Sequence, residues 1–232
     1  MHKLQIELRK LTKPEKIPIY KNFFKTGEGE YGEGDEFIGV TVPDSRKVAR
    51  ANIDISYEDL VHILKSRVHE DRLCALIILV YKFEKSKTEQ EKQRAVDFYI
   101  KYHLYGNNWD LVDVITPKIL GPWLIHGDKS LLYEYAHSSN LWERRIAIIT
   151  TFHFIRQGEF EDTIKISEIL LNDKHDLIHK AVGWMLREMG KRDKKELVDF
   201  LNKHYTNMPR TMLRYSIERL PEQVKKSYLA KN

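Results

Sequence analysis

A recurrence of paired helices restricts this chain most. Stretches with helical periodicity come in twos, a shorter one turning back into a longer one, and the longer members begin near residues 69, 109, 141, 175 and 208. A period of roughly 32–40 residues is that of helical solenoids, in which each pair can bury its apolar face only against its neighbours. The pairs read as 57–65 with 69–85, 88–104 with 109–120, 128–138 with 141–157, 159–171 with 175–190, and 193–204 with 208–219. Uneven spacing and the lack of a shared letter code point to HEAT-like units rather than tetratricopeptide or ankyrin ones. The expected fold class is all-α, a HEAT-like helical-repeat solenoid with a basic concave face. One domain is expected over 1–232, with N-terminal helices and a glycine-rich loop in 1–52, helix pairs in 53–220 and a C-terminal cap in 221–232.

Local signals agree with this outline. Four glycines fall within Gly27–Gly34, while long stretches elsewhere have none. Thr88-Glu89-Gln90-Glu91 is a capping box, Asp193 stands three residues before Glu196, and Pro43, Pro209 and Pro221 suit first helical turns. The best strand-like stretch, Phe37–Val42, is short and runs into Pro43, so it reads as extended loop. The apolar segment Leu73–Tyr81 is far below the roughly 20 residues that span a bilayer, and Met1-His2-Lys3-Leu4 lacks a signal-peptide core. A soluble, cytoplasmic monomer is expected. The single cysteine, Cys74, lies in that apolar segment and reads as an inert core thiol in a reducing compartment.

Charge totals say little, but their arrangement says more. The chain holds 39 Lys and Arg against 34 Asp and Glu, a formal net charge of +5. Five acids and no bases lie in 27–36. In the last three pairs the first helices carry five lysines against nine acids, whereas the second helices carry eight bases against four acids. If second helices line the concave surface, that surface is basic, the electrostatic footprint of a polyanion such as duplex DNA or RNA. Ordinary solvated faces would give a similar split. The pair 88–104 with 109–120 shows none.

Three groups of residues suggest chemistry. Trp109 and Asp113 are four apart after Asn108, a helix-capping residue type, so they share a face. An indole beside a carboxylate suits a cationic ligand, although Asp110 and Asp113 would also complement a helix dipole beside a core Trp109. In the row Leu141, Arg145, Ile148, Phe152, Ile155 an arginine interrupts an apolar stripe, and it must find an anion, either an internal carboxylate or a phosphate. Lys180, Trp184 and Arg187 share a third face, fit to grip a nucleic-acid backbone or to be a buried indole with snorkelling neighbours.

Two motif matches fail on context. Gly27-Glu28-Gly29-Glu30-Tyr31-Gly32 satisfies the dinucleotide fingerprint, but it follows the helix-like Tyr20–Lys25 rather than a strand, and its acids would repel a pyrophosphate. His175 and His179 have zincin spacing, but Asp176 replaces the usual glutamate and no third ligand is apparent. No metal and no cofactor are expected.

Several blocks together resemble the AlkD-like DNA alkylation repair family. They are Phe23-Phe24-Lys25-Thr26-Gly27, Tyr31-Gly32-Glu33-Gly34-Asp35, Phe37-Ile38-Gly39-Val40, Val42-Pro43-Asp44-Ser45-Arg46-Lys47, Asn107-Asn108-Trp109-Asp110-Leu111-Val112-Asp113, Trp142-Glu143-Arg144-Arg145 and Lys180-Ala181-Val182-Gly183-Trp184. The resemblance implies a HEAT-like solenoid and a DNA glycosylase of base excision repair that removes cationic N3- and N7-alkylpurines from duplex DNA. Carried onto matching positions, it implies Asp113 as the essential carboxylate, Trp109 and Trp184 flanking it, and Arg145 on DNA. Arg144, Lys180, Arg187, Arg210 and Arg214 complete the expected DNA-binding set. A non-catalytic DNA-binding relative, a protein-interaction scaffold and an enzyme on RNA are the alternatives. The resemblance is strong across Gly27–Glu36, a stretch whose physics suggests no more than a glycine-permitted turn.

Overall fold

The computed structural model describes residues 1–230. Among them the chain is all-α, with fourteen α-helices and no strand. Unit 1, Met1–Ile115, contains α1 (Lys3–Arg9), α2 (Ile17–Phe23), α3 (Val42–Ala51), α4 (Tyr57–Leu64), α5 (His69–Lys85), α6 (Glu89–Tyr102) and the start of α7 (Trp109–Leu124). Unit 2 begins at Thr116 and contains α8 (Ser130–Ala136), α9 (Leu141–Gln157), α10 (Glu161–Ile169), α11 (Asp176–Arg192), α12 (Lys194–His204), α13 (Arg210–Ser216) and α14 (Glu222–Leu229). The expected second helices thus start within two residues of their predicted positions.

The caps explain these boundaries. Thr88 and Glu91 form the reciprocal capping box of α6, and the Asp193 carboxylate accepts from the amides of Lys195 and Glu196 at the head of α12. Pro43 sits in the first turn of α3, where Thr41 is the cap. Pro209 and Pro221 stand one residue earlier than a first turn, as the N-cap residues of α13 and α14.

In unit 2 the long helices form one row. α9 packs on α11 and α11 on α13, while α8 and α10 pair behind them, the two-layer repeat that buries one face of each helix. Close approach at Gly183 brings α11 and α13 together, because a Cβ there would lie 2.5 Å from Tyr215 Cβ and 2.6 Å from the Met212 carbonyl oxygen. Arg145 is buried within this row and its Nη1 donates to the Leu177 carbonyl at 2.6 Å, stitching α9 to the first turn of α11. The guanidinium that interrupts the apolar stripe thus has a main-chain acceptor among its partners.

Unit 1 is built around α5, which is buried on every side from His69 to Val80. α3, α4 and α6 pack against it, and α1 packs on both α3 and α5. A helix with no solvent face cannot leave charged side chains unpartnered. Its first four residues, His69-Glu70-Asp71-Arg72, are all charged or ionisable and all buried. What they hold is the candidate site.

Candidate functional site

Each member of this run ties down a different segment. Asp71 accepts from Arg9 Nη2 at 2.8 Å, Gln5 Nε2 at 2.9 Å and Ser66 Oγ at 2.7 Å, fixing α1. The Glu70 carboxylate accepts from three successive amides, Ile38 at 3.1 Å, Gly39 at 2.7 Å and Val40 at 3.2 Å. That turn requires glycine at 39, where φ is +78° and a Cβ would meet the Lys13 carbonyl oxygen at 2.1 Å. Burial pushes the Glu70 carboxyl above its ordinary range, against the pull of these amides.

His69 and Arg72 hold the glycine-rich loop. Glu36 bridges to the backbone just before α5, its amide donating to the Arg67 carbonyl at 3.0 Å and its carbonyl accepting from the His69 amide at 2.8 Å. Asp35 is thereby carried inside, where its Oδ1 accepts from Arg72 Nη2 at 2.7 Å and its Oδ2 lies 3.1 Å from His69 Nδ1. The other imidazole nitrogen, Nε2, lies 2.9 Å from Asp110 Oδ2. Arg72 Nη2 also donates to Asn107 Oδ1 at 3.1 Å. Burial pushes the Asp35 carboxyl up, but His69 and Arg72 outweigh it and hold it below the usual range. The loop's own carboxylates occupy its amides, Glu30 on Gly27 and Glu33 on Gly29, both at 2.8 Å. This leaves the loop's fingerprint match without the open amides a phosphate would need, and gives the loop a structural role: it delivers Asp35.

Above this network stands an aromatic cluster that ends at Trp109. Phe24 lies 4.8 Å from the His69 ring and stacks on Phe37 at 5.2 Å. Its ring also stacks on Trp109 at 5.4 Å with an interplanar angle of 26°, and Phe23 meets the indole edge-on at the same distance. Phe23 is 58% exposed, so this side of the cluster is open to solvent. Trp109 opens α7, where Asn108 Oδ1 accepts from its amide at 2.9 Å, and half-buried Asp113 lies one turn on. Asp110, an expected first-turn acid, faces inward to His69 while its Oδ1 accepts from the Leu111 amide at 2.9 Å.

The expected residues of unit 2 form groups of their own. On α11, Trp184 Nε1 donates to Glu188 Oε1 at 3.2 Å and its ring lies 5.7 Å from Phe152. Lys180 is paired with Asp176 at 2.6 Å, and Arg187 with Glu218. Arg144 Nε donates to Asp173 at 2.5 Å and its Nη1 to the carbonyls of Ser138 and Ser139, tying two interhelical turns together. On α13, Arg210 donates to the Leu229 carbonyl at 2.8 Å, and Arg214 is exposed. The histidines with zincin spacing cap instead: His175 Nδ1 accepts from the Leu177 amide at 3.2 Å, and His179 Nε2 lies 2.5 Å from the Asp173 carbonyl oxygen. Among the described residues no three His, Cys, Asp or Glu side chains are grouped to hold a metal ion. None of the helices there is long and apolar enough to cross a membrane.

The family model for the DNA alkylation repair enzyme matches residues 4–220. The chain belongs to this family. Membership in the DNA alkylation repair enzyme family gives it a role in DNA alkylation repair, with DNA as the substrate. A comparison with curated protein sequences finds no match. Among solved structures, a predicted DNA alkylation repair enzyme from Enterococcus faecalis shares the fold, with a TM-score of 0.70 and 15% identity over 91% of this chain and 97% of that one. An all-α fold of the helical-repeat solenoid class is thus common to both.

Sequence reasoning passed over Asp35, His69, Glu70, Asp71 and Arg72 in this DNA alkylation repair protein. The available signal was four consecutive ionisable residues directly before the wholly apolar stretch 73–80. A helix that apolar has no solvent side on which such a run could be hydrated.

Proposed function

We propose that the chain is a DNA glycosylase that hydrolyses the N-glycosidic bond of cationic N3- and N7-alkylated purines in duplex DNA, with Asp113 as its essential carboxylate. The observation that carries this reading is the setting of Trp109, an indole stacked on Phe24 and braced by Phe23 with Asp113 one turn along the same helix. Alkylation at N3 or N7 makes the purine a cation and weakens its bond to C1′. As the bond breaks, the sugar becomes oxocarbenium-like. Asp113 stabilises that developing positive charge and orients or deprotonates the attacking water, and Trp109 offers its face to the sugar. The resemblance gives Trp184 the same kind of contact from unit 2. A leaving group already cationic needs little acid catalysis, so no second carboxylate is required. Base extrusion into a deep pocket is not needed either, in contrast to most enzymes that process bases.

The DNA backbone falls to Arg145, Arg144, Lys180, Arg187, Arg210 and Arg214. Lys180 holds Asp176 at the surface, and such an exposed pair contributes only about 0–1 kcal/mol. A phosphate can therefore replace Asp176 at little cost. Buried Arg145 also holds the first turn of α11 through the Leu177 carbonyl.

The deciding experiment is release of 7-methylguanine and 3-methyladenine from alkylated duplex DNA, run beside Asp113→Asn. Release by the wild type and a loss of about 100-fold or more in the variant are expected. An undiminished rate in Asp113→Asn would sink the assignment. Salt-sensitive duplex binding without any release would mark a DNA-binding member that lacks catalysis, and no duplex binding at low salt would favour a scaffold.

A further inference from the structure

We propose that His69, as an imidazolium bridging Asp35 and Asp110, is a positioning residue that fixes the first turn of α7 and the plane of Trp109 for glycosidic cleavage. The inference rests on the reading above and adds to it a residue that touches neither DNA nor water at the reacting bond. A neutral imidazole has one N–H and one lone pair. Here both ring nitrogens face carboxylate oxygens, Nδ1 toward Asp35 at 3.1 Å and Nε2 toward Asp110 at 2.9 Å, and a carboxylate has no proton to give. Both contacts are satisfied only when both nitrogens carry hydrogen. The charged groups facing the ring are Asp35 from the loop, Asp110 from α7, and Arg72 and Glu70 from α5 itself.

Two routes run from His69 to the indole. One is covalent and short: Asp110 is the residue after Trp109, so the Nε2 contact pins the start of α7. The other is through stacked rings, His69 to Phe24 at 4.8 Å and Phe24 to Trp109 at 5.4 Å, where an imidazolium is attracted by the ring face. The glycine-rich loop therefore acts on the site from a distance, by supplying the Asp35 that keeps His69 charged. Burial pushes the imidazole down, but Asp110 and Asp35 outweigh it and raise its pKa to about 9. Above that pH one bridge loses its hydrogen and the turn is released.

The test uses the full chain with His69→Gln and Asp35→Asn. Single-turnover release of 7-methylguanine, duplex affinity and the indole N–H resonances are measured together, the Trp109 signal being assigned through Trp109→Phe. The expected result for His69→Gln at pH 7.5 is release slower by about tenfold or more, duplex affinity within about twofold, and movement of the Trp109 resonance but not of those of Trp123, Trp142 and Trp184. In the wild type that resonance titrates with a midpoint near pH 9, and Asp35→Asn moves the midpoint down. A folded His69→Gln that keeps the wild-type rate and an unmoved Trp109 resonance overturns the proposal. So does an equal shift of all four indoles, the mark of a merely structural role. If His69→Gln does not fold, the wild-type titration and Asp35→Asn decide, and a Trp109 signal flat through pH 9 is the overturning result. Should the wild type release no base at all, the functional reading fails, and the resonance alone then decides whether His69 positions Trp109.

Discussion

In unit 1 the charged side chains at the head of α5 reach across the sequence, from Asp71 to Gln5 over 66 residues and from Glu70 to Val40 over 30. In unit 2 the long-range pairs Arg144–Asp173 and Arg187–Glu218 each join one repeat to the next. The two patterns do different work. Unit 2 repeats, so each apolar face already has its neighbour and charge only trims the turns. Unit 1 wraps an irregular loop and a short helix around α5, and there buried polar contacts take the place of the next repeat.

The sharpest way to break this contrast is Asp71→Ala. It strands a half-covered Arg9 and removes the acceptor of Gln5 and Ser66, so it should destabilise the fold by about 3–5 kcal/mol in urea titrations. A loss as small as that of a unit 2 surface pair would put both units in one class. Next comes pH. Folded His69 keeps its proton to about pH 9 against an ordinary value of 6.5, so its contribution is complete below about 6.5 and is lost as pH rises through 9. Thermal or urea unfolding should show up to about 3 kcal/mol of this alkaline loss, and none of it in His69→Gln. The smallest effect belongs to Lys180→Ala, which should change stability by less than about 0.5 kcal/mol while reducing the salt slope of duplex binding by about one.

The same contrast decides what could be read from the sequence. Helix pairs, the Thr88 and Asp193 caps and the shared face of Lys180, Trp184 and Arg187 follow from local spacing, and they stand where spacing placed them. Trp109 and Asp113 were legible in the same way. The support beneath them was not, because Asp35, His69 and Asp110 meet only after the chain has folded over itself. Asp110 looked like any first-turn acid, and the glycine-rich loop looked like a turn. Arg145 shows a related limit, since a stripe interrupted by arginine reveals the need for an acceptor but not that a main-chain carbonyl is among those it finds.

One consequence follows from the three amides gathered on the Glu70 carboxylate. They belong to a segment without helix or strand, whose amides would ordinarily exchange with solvent hydrogen as freely as those of any surface turn. Here they open only when the first turn of α5 lets go, so their exchange clock is that of the buried helix. The segment and the helix are thus expected to open as one cooperative block, with the amides of Ile38, Gly39 and Val40 protected alongside those of α5 in hydrogen exchange.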